Sequence, residues 1–538
     1  MARETGATIA GPLTAPVLVP TRLKPLRALL RSLLAGLLLV GPLPVRAADQ
    51  LDVRLDSLSL PIDLVALDAW SRSPGSVGGD LGAWLDLIDA KGRDQLLRIL
   101  RAPLVSDRSF AQQFLASWAG QRVLEELDQL ISTDQGQAGP LLYQTLQQLL
   151  ARQKQVTTIE LLRAVPSQRL VLHLDGGLLL ADRWRQQLIQ QRQALTVLRQ
   201  LPLRRVSVSS PALQALASPP SLQGHQRLLL PVPHRQQPLE LQVWSATHST
   251  WVLLTPGLGG SAEQMEWLAA GLQQRGWPVL LLDHPGSDEQ AMRELLEGRR
   301  PPPGAETLSS RVQDLQAVVA AVQNGSLPRL GDRVVLMGHS LGGLTSLLAA
   351  GLRPEPGLAR RCDRALDGIP LTNLSRLLQC QLLDVALPAP TPLAQPLAAV
   401  VSFNGFGSLL WPHRGLRPLP VPVLLVGGSL DLITPPLQEQ LQLFLQEGRP
   451  QSRLVLVEGG SHFSPVRIGR GDQALFQLGE EFVGVEPLRV QALSLGLSSD
   501  FLQALPRGLP PQQRQIGGVS AYVLNHAMAQ TWQGGLRN

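Results

Sequence analysis

From residue 225 to 459 one pattern recurs: a short apolar run, a turn, a helical stretch, then another apolar run. RLLLPV (227–232), LELQVW (239–244) and WVLLTP (251–256) open it, and PVLLLD (278–283), RVVLMG (333–338), AVVSFN (399–404), VPVLLVGG (421–428) and RLVLVEG (453–459) continue it. Helical periodicity separates them at 262–275, at about 306–323, from Ser340 onward and near 435–447. Runs of Val and Leu without polar alternation leave neither face to water, so such strands belong in a sheet covered on both sides. The spacing therefore predicts an α/β fold: two antiparallel starting strands, then a mostly parallel sheet with helices on both faces. No internal repeat stands out.

Upstream the pattern changes. LDVRLDSLSL (51–60) alternates like a half-buried strand, but from Pro61 to about Gln153 apolar residues recur at helical spacing, as with Leu141, Leu142, Leu146, Leu149 and Leu150. RLVLHL (169–174) reads as a short strand, so residues 48–178 are expected to form a smaller, mainly helical domain. A connecting helix (181–200) and a linker marked by SPPS (218–221) fill 179–224, and the α/β domain takes 225–538.

The net charge of +6 suggests a nucleic-acid partner, but residues 1–48 alone carry +5 of it. What remains is near neutral, and no basic patch interleaved with aromatics occurs, which disfavours nucleic-acid binding. The basic stretch ends in SLLAGLLLVGPL (32–43) followed by small residues around Ala47, the layout of an export signal at 1–47. Its apolar core is shorter than the ~20 residues of a membrane span. Cleavage is expected, and an uncleaved anchor is the alternative. Cys362 and Cys380 are the two cysteines; they can pair in an oxidising compartment or pack as free thiols.

Chemistry concentrates at VVLMGHSLGG, where a strand runs into Gly338-His339-Ser340-Leu341-Gly342 and a helix follows. This is the context in which G-x-S-x-G presents a nucleophilic serine on a sharp turn. A mere helix N-cap would explain Ser340 but not both flanking glycines. A serine hydroxyl needs a base oriented by a carboxylate, in the order Ser, Asp or Glu, His. Of His413, His462 and His526, the second lies in EGGSHFSP, a glycine-rich loop after a strand; Asp431 in VGGSLDLITPP precedes it in a similar loop. Asp283 and Asp288 come before the serine and break the order, while Glu458 is a weaker rival. Backbone N–H groups of Leu341 and, from TPGLGGS (255–261), of Leu258 are the expected oxyanion donors. The latter loop lacks the phosphate-binding and dinucleotide-binding spacings.

TPGLGGS, DHPGSD, GHSLGG, GGSLDLITP and GGSHFSP together resemble the α/β-hydrolase superfamily, more narrowly the predicted dienelactone hydrolases, and are similar also to platelet-activating-factor acetylhydrolases. Residues 49 to about 175 look like the N-terminal domain of unknown function on cyanobacterial members. The resemblance implies an α/β-hydrolase fold and an exported serine hydrolase with Ser340, Asp431 and His462 as triad; acyl-enzyme chemistry of this kind needs no metal and no organic cofactor. Many relatives carry His-Gly where this chain has Pro256-Gly257.

The expected reaction is hydrolysis of a small-molecule or lipid ester through an acyl-enzyme by an exported protein, in a periplasm, thylakoid lumen or extracellular space. An insertion at 353–396 rich in leucine is a candidate cap that favours acyl chains, with peripheral membrane contact possible. Its leucines can equally be ordinary core. The competing expectation is a noncatalytic binding or envelope-docking protein on a hydrolase scaffold.

Overall fold

The computed structural model describes residues 48–536 apart from 76, 106–112, 114–115, 135, 154, 208–224, 367–372 and 468–485. The expected leader and the SPPS boundary lie outside the described residues.

The strand expected at 51–60 is a hairpin. Strand β1 (Gln50–Leu55) turns at Asp56, which takes φ 51°, into antiparallel β2 (Leu58–Asp63). Strands β4 (Ile131–Thr133), β5 (Gly136–Gln137) and β7 (Arg169–His173) complete a five-stranded sheet in the order β2-β1-β7-β4-β5, and β3 (Pro103–Val105) and β6 (Val156–Thr157) pair apart from it. The N-terminal domain is mainly helical, as expected, with a small sheet whose further strands the sequence pattern did not reveal. Strands of two or three residues are too short to show a period of two. Its helices follow the sequence: Leu142, Leu146 and Leu150 of Gly139–Leu150 are buried at four-residue spacing, and Thr157 with Glu160 forms a capping box at Thr158–Ala164.

One correction concerns 179–224. One helix runs from Leu174 to Arg199, starting directly at the end of β7, so the expected boundary at 178 falls inside it. Its last turns bury Ala194 and Leu198 in the core of the next domain, where Trp532 Nε1 donates to Ala194 O at 2.8 Å. Strand β8 (Arg204–Ser207) then pairs in parallel with β17 (Gln512–Ile516). The end of this helix and β8 are thus part of the second domain's framework.

Among the described residues that domain is built on eleven strands. β9 (His225–Leu230) and β10 (Leu239–Trp244) are antiparallel; β11 (Thr250–Thr255), β12 (Val279–Leu282), β13 (Arg333–His339), β14 (Leu397–Phe403), β15 (Val423–Gly428) and β16 (Arg453–Val457) are parallel to one another; β17 and β18 (Val519–Leu524) close the far side. The order is β8-β17-β18-β16-β15-β14-β13-β11-β12-β10-β9. Every residue of β12 and β15 is buried, as an unbroken apolar strand requires. Two cores result. On one face Leu253, Leu336, Leu344 and Leu315 pack with Leu198 and Trp532; on the other Val335, Val401 and Val455 meet Trp267 and Phe501. Each fully buried Val or Leu contributes roughly 1.5–3 kcal/mol, which sets the strand register against slippage.

The 353–396 insertion holds helices Leu358–Ala365 and Ser375–Gln381, tied by a disulfide between Cys362 and Cys380, whose Cα atoms lie 5.5 Å apart. The second helix docks through a buried carboxylate: Glu439 accepts from Ser375 Oγ (3.2 Å) and Gln379 Nε2 (3.1 Å) of that helix, from Asn373 Nδ2 just before it (2.7 Å), and from the N–H groups of Gly407 and Ser408 (2.9 and 3.0 Å).

Candidate active site

All parallel strands end at the same sheet edge, and the loops leaving them there bring the three predicted side chains together. Ser340 sits between β13 and helix Leu341–Ala349 at φ 52°, ψ −119°. A non-glycine residue in such a conformation carries about 1–3 kcal/mol of strain, held by Ser340 N–H donating to Phe403 O at 2.8 Å. The turn leaves no room beside it: a Cβ on Gly342 would lie 2.5 Å from the carbonyl oxygens of Thr255 and Pro256.

Nε2 of His462 is 3.0 Å from Ser340 Oγ, and its Nδ1 is 2.9 Å from Asp431 Oδ2. A carboxylate only accepts, so Nδ1 carries the ring proton and Nε2 faces the hydroxyl as an acceptor. Asp431 is fully buried and saturated. Oδ1 takes the N–H groups of Ile433 (2.9 Å) and Thr434 (2.8 Å), and Oδ2 takes Thr434 Oγ1 (2.5 Å) and Asn404 Nδ2 (2.6 Å). Burial pushes its pKa up, but His462 and these donors outweigh burial and hold it at about 2.

The expected oxyanion donors lie on the two elements that meet at the serine. Leu341 is the first residue of the elbow helix, where N–H groups have no intrahelical acceptor. Leu258 follows Gly257, where a Cβ would stand 3.3 Å from Ser340 Cβ, so this loop passes directly over Ser340. Pro256 occupies the place of the histidine common in the resembled family and offers its carbonyl to Arg311.

Four residues escaped the sequence reading. Thr434 and Asn404 hold the carboxylate; Asn404 does so from φ 49°, a conformation that asparagine tolerates better than most residues. His339 donates from Nε2 to His462 O at 2.8 Å, its pKa pushed down to about 3 by burial and by His462, so it is a neutral brace. Arg311, fully buried, is the fourth. Thr434 alone had a local signal, a hydroxyl three residues after an aspartate in a turn.

The other singled-out groups stand elsewhere. Asp288 caps helix Glu289–Leu296 through Ala291 N–H (2.9 Å), Glu458 accepts from Tyr522 Oη (3.0 Å) and Arg199, and His526 reaches Leu445 O (2.8 Å). Asp283 organises the loop, accepting Ala262 N–H at 2.5 Å. Burial pushes its pKa up to about 7, with Asp288 and Glu240 adding and the Ala262 N–H opposing. The folded protein thus keeps a proton that the unfolded chain loses near pH 4, and stability should fall as pH rises from about 4 to about 7. Asp283→Asn keeps an acceptor without the charge. It should add about 1 kcal/mol or more at pH 8 and nothing at pH 4; urea unfolding at both values measures this, and an equal gain at both contradicts the assignment. Among the described residues no cluster of three or more His, Cys, Asp or Glu is placed to hold a metal.

A mixed, mostly parallel sheet with helices on both faces and this elbow makes the second domain an α/β-hydrolase domain. Residues 252–469 match the model of the Alpha/beta hydrolase family, and residues 47–173 match that of Alpha/beta hydrolase of unknown function (DUF1400). The latter segment folds as the N-terminal sheet-and-helix domain and contains none of the strands that carry the site. No curated protein matches the chain.

Proposed function

We propose that this hydrolase is a serine esterase that cleaves carboxylic esters through an acyl-enzyme. The observation that carries the reading is the relay from Ser340 Oγ through His462 to buried Asp431, at 3.0 and 2.9 Å. His462 Nε2 takes the hydroxyl proton as Oγ bonds to the ester carbon, and the carbonyl electrons move onto oxygen between the N–H groups of Leu258 and Leu341. Collapse of this intermediate breaks the ester C–O bond, and His462 hands its proton to the leaving alcohol. Water repeats the sequence and releases the acid. Asp431 stays ionised and steadies the imidazolium.

The motif resemblance to dienelactone hydrolases and platelet-activating-factor acetylhydrolases supports ester substrates. Leu374 (36% exposed) and Leu383 (48% exposed) are apolar side chains on the insertion's surface, which favours acyl esters and peripheral membrane contact. Export is supported by the leader pattern and by the Cys362–Cys380 bond, a chemistry of oxidising compartments. A panel of p-nitrophenyl esters graded by chain length, with fluorophosphonate labelling mapped by peptide, tests the reading. Label on Ser340 and turnover rising with acyl length are expected. Folded protein that neither takes the label nor turns over any ester would instead be a binding protein on a hydrolase scaffold.

A further inference from the structure

Arg311, in helix Leu308–Asn324, is wholly buried, and among the described residues no carboxylate lies within 4.0 Å of its guanidinium. Its N–H groups go to neutral oxygens: Nε to Thr345 Oγ1 (3.2 Å), Nη1 to Ser287 Oγ (2.8 Å), and Nη2 to Pro256 O and Thr255 Oγ1 (3.5 Å). Taking a cation out of water without an adjacent anion is costly. Asp314, one turn along, is already engaged by Arg235 Nε (2.6 Å), His234 Nε2 (2.7 Å) and His284 Nδ1 (2.6 Å).

The acceptors of Arg311 share one property, in that each belongs to an element fixing an oxyanion donor. Pro256 begins the loop that carries Leu258. Ser287 holds the same loop from its other side, because its carbonyl accepts Gly259 N–H at 2.7 Å. Thr345 donates its hydroxyl to Leu341 O at 2.7 Å, within the first turn of the elbow helix. Thr255 is the last residue of β11, and its hydroxyl donates to His284 Nε2 at 2.5 Å, so its lone pairs remain for Arg311. That direction follows from chemistry: Asp314 only accepts, so His284 Nδ1 holds the proton. Burial first, and then Arg311, push the His284 pKa down to about 3, which keeps the ring neutral.

We infer that Arg311 is the positioning residue of the oxyanion hole, a fork that locks the Leu258 loop against the Leu341 turn and does the bracing that Pro256 cannot. The inference rests on the proposed esterase reaction. Its planar fork matters as much as its charge, because a lysine ammonium cannot span three elements at once. Burial lowers its pKa to about 9, with Asp314 opposing, so the cation persists at neutral pH.

The test uses the full chain with Arg311→Lys and Ser287→Ala, the latter removing one tooth of the fork without touching the buried charge. Readouts are kcat and KM on a short p-nitrophenyl ester, the inhibition constant of an alkylboronic acid that forms a tetrahedral oxyanion on the serine, and the melting temperature. For Arg311→Lys we expect kcat down on the order of 10²-fold, KM within about threefold, and boronate affinity falling in step with kcat, since misplacing a donor by about 1 Å has effects of that size. Ser287→Ala should show the same pattern at roughly tenfold, and it decides the matter if Arg311→Lys does not fold. Either folded variant retaining wild-type kcat and boronate affinity overturns the inference, as does a loss confined to KM or to melting temperature. Wild-type protein that takes no fluorophosphonate label at Ser340 is a different failure: it removes the esterase reading, and this inference with it.

Discussion

Ser340→Ala is expected to lower turnover of a short p-nitrophenyl ester on the order of 10⁶-fold, leaving activity near that of the uncatalysed reaction in the same buffer. The size follows from the proposed role, in which the hydroxyl is both nucleophile and proton donor, and no neighbouring group replaces it. Thr345 and Ser346 are fully buried and bond to helix carbonyls, and Ser402 Oγ lies against Gly343 and Gly405 rather than His462. Alanine fits the existing backbone, whose φ of 52° costs it about what it costs serine, so the melting temperature should barely move. A variant keeping more than about a tenth of wild-type turnover would place the nucleophile elsewhere.

Asp431→Asn comes next, with an expected loss in kcat of about 10⁴-fold. The environment of this carboxylate explains the severity. Four donors from Ile433, Thr434 and Asn404 converge on it besides His462. An amide must turn its NH₂ toward some of them, leaving donors facing donors in a dry pocket, and it no longer enforces the Nδ1–H tautomer that frees Nε2 for the serine proton. The imidazolium formed during attack also loses its counter-charge. Steady-state kinetics should show kcat falling with KM little changed. A loss below about tenfold would mean another acid orients His462, and Glu458 is then the place to look, although Arg199 and Tyr522 already claim it.

That Ser340, Asp431 and His462 should converge was legible in the sequence because each follows a strand of unmistakable character: β13, β15 and β16 are Val/Leu runs, and the residues after them are glycine-rich turns ending in these three side chains. LELQVW matched β10 residue for residue. What could not be read depends on contacts across space. Asn404 meets Asp431 over 27 positions, and Arg311 meets Pro256 over 55, with no local pattern to announce either. Residue types alone mislead as well. Thr255, His284 and Asp314 form a hydroxyl, imidazole and carboxylate series at 2.5 and 2.6 Å, yet all three are wholly buried, so they brace the loop instead of meeting a substrate. The missed strands have a similar cause. QQRQI of β17 and RRVS of β8 present no apolar run, because they lie at the rim of the sheet and need cover on one face at most.

That rim matters for how molecules of this protein treat each other in concentrated solution. The outermost strand on that side is Arg204-Arg205-Val206-Ser207, four residues long with both arginines exposed, so a neighbouring chain seeking to extend the ladder meets like charge and finds little backbone to grip. Loss of this short segment would uncover the glutamine-rich β17 beneath it, trading a repulsive margin for an adhesive one that invites fibrous clumping.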